Sequence, residues 1–307
     1  MRIAVPDLVS NSYFPAVAAV ELGHFKAEGI DAELQMVSPI PRAMAALRDG
    51  ELDFVAGPAH ATLAAFPDWQ GAKVVASLAQ QTFWLLVLRA DLDVEPGDVQ
   101  GVKGLHIGAA PGPEQAFRHL LTEAGIDLVR DGVELGRVPG AEGHDVNFGV
   151  HAAGVLERGE IDGFWANAMG CEVAVQSGAG KVILDVRRGI GPASATGYTF
   201  ASLVTSDNHI EKNPDEVACA VRAIVKVQKD LKANPALATQ VGQRLFPAQE
   251  AEMIAALVER DLPFYDPSIP EAAVEAMNRF AQETGILSGP VPYDRVVGTQ
   301  FSGIWSE

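Results

Sequence analysis

Cysteine is scarce in this 307-residue sequence: only Cys171 and Cys219 occur. They make no CxxC or CxxH and follow no cysteine-rich spacing, so neither a structural zinc site nor a disulfide framework is encoded, and both read as buried small apolar side chains. No run of about 18 apolar residues exists, which excludes a membrane-spanning helix and direct membrane insertion. Basic residues are in deficit, 23 Lys and Arg against 40 Asp and Glu, for a net charge of −17. Such a chain repels a phosphate backbone or an anionic lipid surface at long range. Its densest basic spacing, Lys226, Lys229 and Lys232, reads as a solvated helix face, so nucleic acid is excluded as a partner.

Cofactor signatures are missing as well. There is no Walker motif and no GxGxxG following a strand, so no nucleotide cofactor is called for. His144 and His151 stand seven apart, a spacing with no claim to chelation, and no metal is implied. Arg2 to Val5 already reads as a strand, with no charged and apolar leader ahead of it. The expected location is therefore periplasmic or extracellular where a signal was removed before this numbering, and cytoplasmic otherwise.

What the sequence does hold is a packed composition, 48% hydrophobic and 21% charged, at a length suited to two domains. It also holds an internal duplication. ALRDGELDFVAGPA from Ala46 recurs 109 positions later as VLERGEIDGFWANA from Val155, and KAEGIDAEL from Lys26 is echoed by TEAGIDLVR from Thr122. Each copy runs from a helix through a glycine stop into a short apolar strand. Upstream stand RIAV followed by PDLVSNSYFP, and LHIGA followed by APGPEQ, so both copies read strand, loop, helix, strand, loop, helix, strand.

The helices pass the periodicity test, with Phe14, Val17, Ala18, Leu22 and Phe25 on one stripe and Phe117, Leu120, Leu121 and Ala124 on another. Strands alternating with such helices imply mostly parallel sheets and right-handed crossovers, hence two Rossmann-like α/β lobes. A long helix is expected from Pro214, with Asn213 as N-cap, acidic Asp215 and Glu216 in its first turn, and Val217, Val221, Ile224, Val225 and Leu231 buried. No third copy follows, so the helical tail to about Glu283, broken at PFYDPSIP, must pack on an existing lobe. With the tail on the first lobe, residues 1–86 and 203–307 form lobe 1 and 87–202 form lobe 2. The chain then crosses near Leu85 to Leu88 and returns near Phe200 to Val204, as two hinge strands that permit closure on a ligand held in the cleft between the lobes.

The residues of the duplication also carry a resemblance. ELGHFKAEGIDAEL, LRDGELDF and LERGEIDG, together with LVTSDNHIEKNPDEV and LKANP, resemble motifs of the sulfonate, taurine, nitrate and pyrimidine-precursor solute-binding proteins. These form the thiamine-pyrimidine-synthase-like branch of the type II periplasmic binding proteins. The resemblance reaches to about Phe246 and implies the solute-binding component of an ABC-type importer, with a transporter permease as its partner. The same architecture is similar to that of cytosolic enzymes, among them a pyrimidine synthase, aryl sulfinate desulfinases and hydroxyphthalate decarboxylases. The cysteine-rich motif of the synthase and the first-strand-loop cysteine of the desulfinases are both absent here.

In open parallel sheets small molecules bind at the carboxyl ends of the strands, and that rule selects the candidate ligand contacts. Ser10, Asn11, Ser12 and Tyr13 follow the first strand and offer neutral donors and acceptors, with helix capping as the alternative use. Ser38 precedes the second helix, and Arg42 in its first turn either forks onto an acid or is solvated. Pro58 and His60 lie past the third strand, and Gln81 and Thr82 near the crossing. In the second copy Gly112 and Glu114 open a helix whose N-terminus could hold an anion, although Glu114 opposes one. Asn147 and His151 stand opposite Ser38 and Arg42 under the 109-residue offset. Trp165 and Asn167 end the third strand. Tyr13, Trp84, Trp165 and Tyr198 offer flat surfaces for a ring-bearing ligand, or pack the core.

Three functions fit these residues. The first is binding of a small acid, sulfonate or heteroaromatic compound for import. The second is a cytosolic, cofactor-independent enzyme (decarboxylase, hydrolase or lyase) on a small, even aromatic, acid, with His60 carrying the proton. The third is a ligand sensor that passes closure to a partner protein.

Overall fold

The computed structural model describes residues 1–141 and 147–307. The chain divides into two compact units, 1–81 with 197–307 and 82–196. The first unit opens with β1 (Arg2–Val5), α1 (Phe14–Glu21), α2 (His24–Ala27), β2 (Glu33–Met36), α3 (Ile40–Arg48), β3 (Phe54–Pro58) and β4 (Ala72–Ala79). The second consists of β5 (Leu85–Arg89), β6 (His106–Ala109), α4 (Pro113–Glu123), β7 (Glu134–Gly136), α5 (Phe148–Glu157), β8 (Gly163–Ala166), α6 (Ala168–Gln176) and β9 (Gly180–Leu184). The chain then returns with β10 (Ala201–Ser206), α7 (Asp207–Lys212), α8 (Pro214–Ala233), α9 (Leu237–Leu245), α10 (Ala248–Asp261), α11 (Glu271–Glu283) and α12 (Tyr293–Val296).

The two sheets share one topology. The first runs β2-β1-β3-β10-β4 and the second β7-β6-β8-β5-β9. β1 pairs in parallel with β2 and β3, whereas β10 lies antiparallel to both β3 and β4. In the same way β6 is parallel to β7 and β8, and β5 is antiparallel to β8 and β9. Four strands of each sheet therefore point one way and one points against them, so each sheet is mixed where the strand–helix alternation predicts mostly parallel pairing. The exception has a topological cause. β5 and β10 are the first strands laid down after the chain leaves the other unit, so no βα crossover inside their own sheet sets their direction. Neither of them crosses between units. The crossings fall at 81/82 and 196/197, several residues ahead of β5 and β10.

The repeated Gly-Glu-aliphatic-Asp motif is explained by its contacts. Gly50 and Gly159, which end α3 and α5, adopt φ of 77° and 73°, a left-handed turn that suits glycine. The aspartate three positions later clamps the first strand of each sheet: Asp53 accepts from the backbone N–H of Arg2 at 2.7 Å, and Asp162 from that of His106 at 2.9 Å. Backbone bonds run alongside, from Asp53 to Arg2 and from Asp162 to His106. One motif thus sets the register of both sheets.

The helical tail belongs to the first unit. α8 buries Val217, Val221, Ile224, Val225 and Leu231, and its buried Gln228 donates to the carbonyls of Ser77 and Leu78 on β4. Asn213 does not cap α8 with its side chain; its amide lies 3.3 Å from His209 Nδ1 instead. Val274, Met277 and Ala281 of α11 join Trp69, Phe200 and Ile269 in one apolar cluster, where the Trp69 indole donates to Asn278 at 3.1 Å. All three tail lysines are exposed, as expected of a solvated face, and two of them also make surface contacts. Lys226 pairs with Glu28, and Lys229 bonds the carbonyl of Glu307. Cys171 is buried as expected, but Cys219 is half-buried with its sulfur 3.0 Å from Arg222.

Within the second unit α5 and α6 meet at two glycines. A Cβ placed on Gly170 would lie 2.2 Å from the Gly149 carbonyl carbon, a backbone contact that no rotamer can relieve. Gly170→Ala is accordingly expected to destabilise the protein by about 1–3 kcal/mol, read as a lower urea midpoint. An unchanged midpoint would contradict this close helix approach.

Candidate functional site

In each sheet the connections from the first strand leave in opposite directions, which makes the carboxyl ends of β1 and β3, and of β6 and β8, the places where a crevice forms in an open α/β sheet. In the first unit the loop after β1 is held from both sides. Asp7 accepts from Ser10 N–H at 2.6 Å, and the Ser10 carbonyl accepts from Tyr13 N–H at 3.1 Å. Asn11 is committed to structure: its side-chain amide donates to Asp261 of α10, and its carbonyl accepts from the Tyr265 hydroxyl. The first bond ties the end of α10, and the second the PFYDPSIP segment, to the β1 loop. The helix-capping use expected of these residues is not observed, because α1 starts after Tyr13 without any side-chain cap. Ser10 is completely buried, and its hydroxyl has no hydrogen-bond partner. Ser12 is buried too. Burial, and next to it the charge of Asp7, push the Tyr13 hydroxyl well above the ordinary tyrosine range, so it stays protonated.

Past β3, Pro58 is buried and pairs with Ala201, and a 3-10 turn from Ala59 to Ala64 carries His60 and Thr62. Thr62 is fully buried and its hydroxyl also lacks a partner. The His60 ring stands edge-on to Phe280 at 5.5 Å, and Tyr198 stacks on that phenyl ring at 4.7 Å. Desolvation lowers the His60 pKa from 6.5 to about 4, so the imidazole is neutral at pH 7. The other first-unit candidates lie nearer to solvent. Ser38 is half-buried, Arg42 is exposed in the first turn of α3, and Gln81 is exposed with a left-handed φ of 65°.

In the second unit several candidates are used up locally. Asn147 and Asn167 are helix N-caps, accepting from the N–H of Val150 at 3.0 Å and of Gly170 at 3.1 Å. His151 Nε2 donates to the Pro139 carbonyl at 2.7 Å, and Glu114 pairs with Arg118 at 2.6 Å. Thr82 is buried, with its N–H on the Thr196 carbonyl. Gly112, at φ 101°, has no atom within 4 Å of where a Cβ would project, so the backbone there is open to close approach. Trp165 is fully buried and stacks on Phe117 at 5.0 Å, and its indole N–H has no partner. His144 lies outside the described residues.

Two residues escape a reading of the sequence. Thr62 falls inside a selected loop without standing out from it. Arg187 follows β9, outside the selected loops; it is buried at 6% exposure with its guanidinium 5.7 Å from the Phe83 ring centre. The signal for it is the Asp-Val-Arg-Arg run directly after a strand, where adjacent arginines stand next to an aspartate.

Duplicated mixed-sheet α/β units of this topology have the fold of the periplasmic binding proteins. The family described as NMT1/THI5 like matches residues 10–238, and the chain belongs to it. Among curated proteins none matches by sequence. Solved structures are similar across nearly the whole chain. A protein of Bordetella bronchiseptica RB50 shares 20% identity at a TM-score of 0.74, covering 98% of this chain and 95% of its own. The alkanesulfonate-binding protein SsuA from Xanthomonas axonopodis pv. citri, bound to MOPS, shares 14% at 0.67, covering 98% and 96%. The desulfurization enzyme DSZB shares 15% at 0.67, covering 98% and 97%. At these identities the likeness is one of fold.

The His60 environment makes a pH prediction. Its folded-state pKa lies below the unfolded one, so the unfolded chain binds more protons between pH 6.5 and 4. The stabilisation is complete above 6.5 and is lost as the pH falls toward 4, by about 3 kcal/mol over the window. Urea midpoints measured from pH 7 to 4.5 should fall more steeply for the native protein than for His60→Gln. Equal slopes would remove His60 as a buried neutral group.

Proposed function

We propose that this chain binds one small organic ligand, an acid, a sulfonate or a heteroaromatic compound, and serves as the solute-binding component of an ABC-type importer. The observation that carries the proposal is the placement of the unsatisfied donors. Ser10 Oγ, Thr62 Oγ1 and Trp165 Nε1 are buried without partners, and each sits at or just past the carboxyl end of a strand beside a switch point. A buried polar group with no partner costs about 1–3 kcal/mol, and most buried polar groups in folded proteins are satisfied. A ligand offering acceptors to Ser10 and Thr62, both in the first unit, removes that cost for them. The fold shared with an alkanesulfonate-binding protein supports the same reading. In this role the protein works outside the cytoplasmic membrane, and its macromolecular partner is a permease.

The likeness to a desulfurization enzyme raises the competing enzyme reading, with His60 as proton carrier. A histidine with a pKa of about 4 is a weak base at neutral pH and is almost never protonated there, whereas proton transfer is most effective when the pKa is near the working pH. His60 is better suited to a fixed hydrogen bond with a ligand.

Thermal-shift screening against carboxylates, sulfonates and pyrimidines should give one class that raises the melting temperature by several degrees, since a hundredfold excess over Kd stabilises by about 2.7 kcal/mol. The Ser10→Ala and Thr62→Val variants should each bind about tenfold or more weakly, with the ligand recovered unchanged by mass spectrometry. Turnover of the bound compound, or the absence of a shift with all three classes, would overturn the proposal.

A further inference from the structure

We infer that Tyr265 and Asp261 are positioning residues for Ser10: the tail of the chain, which lies outside the duplicated repeat, holds that hydroxyl where a ligand has to supply its acceptor. This rests on the binding function proposed above and concerns the first unit alone, to which all of these residues belong. Asn11 is the point of attachment. Its main-chain carbonyl accepts from the Tyr265 hydroxyl and its side-chain amide donates to Asp261, so the residue after Ser10 is fixed by backbone and side chain together. Ser10 is itself held at both backbone groups, by Asp7 on its N–H and by the Tyr13 N–H on its carbonyl. Ser10, Asn11 and Tyr265 are no more than 1% exposed, and Asp261 is 2% exposed. Any shift of the loop that carried the unpartnered Ser10 Oγ toward an acceptor of the protein would have to break these buried bonds, each of which is costly to leave unmade.

Anchoring of the tail does not account for these contacts, because the same segment is fastened to β4 and the residue after it by bonds of its own. The N–H groups of Ser77 and Gln80 donate to the carbonyls of Pro267 and Phe264, and the Gln80 side chain donates to those of Asp266 and Ser268. The identity of Asp261 is a second sign. It is the last residue of α10, where a carboxylate meets the negative end of the helix dipole, and it is out of water, where a charge is costly unless hydrogen-bonded. An acid at that place is a poor choice for packing. It suits a grip on the Asn11 amide, since a charge-assisted bond is about twice as strong as a neutral one. The matching loop of the second unit is supported from within: after β6, the Glu114 N–H donates to the Ala110 carbonyl and the Gln115 N–H to that of Gly112. The repeat thus builds its own loop, and the tail adds to the first copy a brace drawn from elsewhere in the chain. A donor held in this way pays little ordering entropy when a ligand arrives.

The test is a double-mutant cycle, read by isothermal titration of the full chain with benzoate, MOPS and cytosine as the first carboxylate, sulfonate and pyrimidine probes. Tyr265→Phe keeps the ring and removes only the hydroxyl. It should weaken binding about fivefold or more where Ser10 is present and less than about twofold in the Ser10→Ala background, because the brace acts through that hydroxyl. Asp261→Ala should follow the same pattern. In the ligand-free protein, amide hydrogen exchange over residues 8–13 should quicken in Tyr265→Phe and stay native over β3. Native affinity in Tyr265→Phe, equal losses with and without the Ser10 hydroxyl, or unchanged exchange over residues 8–13 overturns this inference and leaves the binding function standing. Failure of every acid, sulfonate and pyrimidine to bind the native protein overturns both.

Discussion

A hydroxyl or indole N–H taken out of water must find an acceptor or cost the fold free energy, and the protein leaves this constraint unmet at chosen places. Ser10, Thr62 and Trp165 are fully buried, yet Ser10 Oγ, Thr62 Oγ1 and Trp165 Nε1 are bonded to nothing. Their neighbours show that acceptors and donors were available to them in principle. Asp7 takes the Ser10 N–H, Asn147 and Asn167 spend their side chains on helix N-termini, and Gln228 satisfies two carbonyls of β4. Other buried polar atoms among the described residues, Gln228 Oε1 for one, also lack a partner, but Ser10 Oγ, Thr62 Oγ1 and Trp165 Nε1 stand near strand tips, and violations of this kind are expected where a protein keeps a site ready for a ligand.

Preorganisation comes from the tail. The helices after β10 do more than cover a sheet, since the break between α10 and α11 reaches back to the strand tips. Asp261 and Tyr265 hold Asn11, Gln80 bonds the carbonyls of Asp266 and Ser268, and Phe280 backs both His60 and Tyr198. Loops fixed in this way lose little further entropy when a ligand arrives. A site on rigid supports also explains how His60 can remain buried and neutral.

Much of this architecture was legible in the residues because the duplication carries geometry. A glycine stop followed three positions later by aspartate is a local pattern, and its two copies make the same clamp, Asp53 on Arg2 and Asp162 on His106. α8 was equally plain, its apolar periodicity and first-turn acids leaving little choice. Strand direction was not legible. Leu85–Arg89 and Ala201–Ser206 are apolar runs like the others, and nothing in such a run records that the chain has just arrived from another unit. Side-chain use was legible only in part. Loop position brought Ser10 and Trp165 to strand tips, but it could not separate Asn11, Asn147, Asn167 and His151, whose hydrogen bonds are taken locally, from residues that keep a buried atom unpartnered. Thr62 and Arg187 did not stand out for a related reason: both are buried, which a threonine in a turn or an arginine after a strand does not announce.

The central claim is that the unsatisfied donors at the strand tips are the ligand's own contacts. A crystal structure of the protein with the compound that stabilises it most tests this directly. The account predicts ligand acceptor atoms within hydrogen-bonding distance, about 2.7–3.2 Å, of Ser10 Oγ and Thr62 Oγ1 at the strand tips of the first unit. A ligand bound elsewhere, with those two atoms still unpaired or satisfied by water alone, would contradict it.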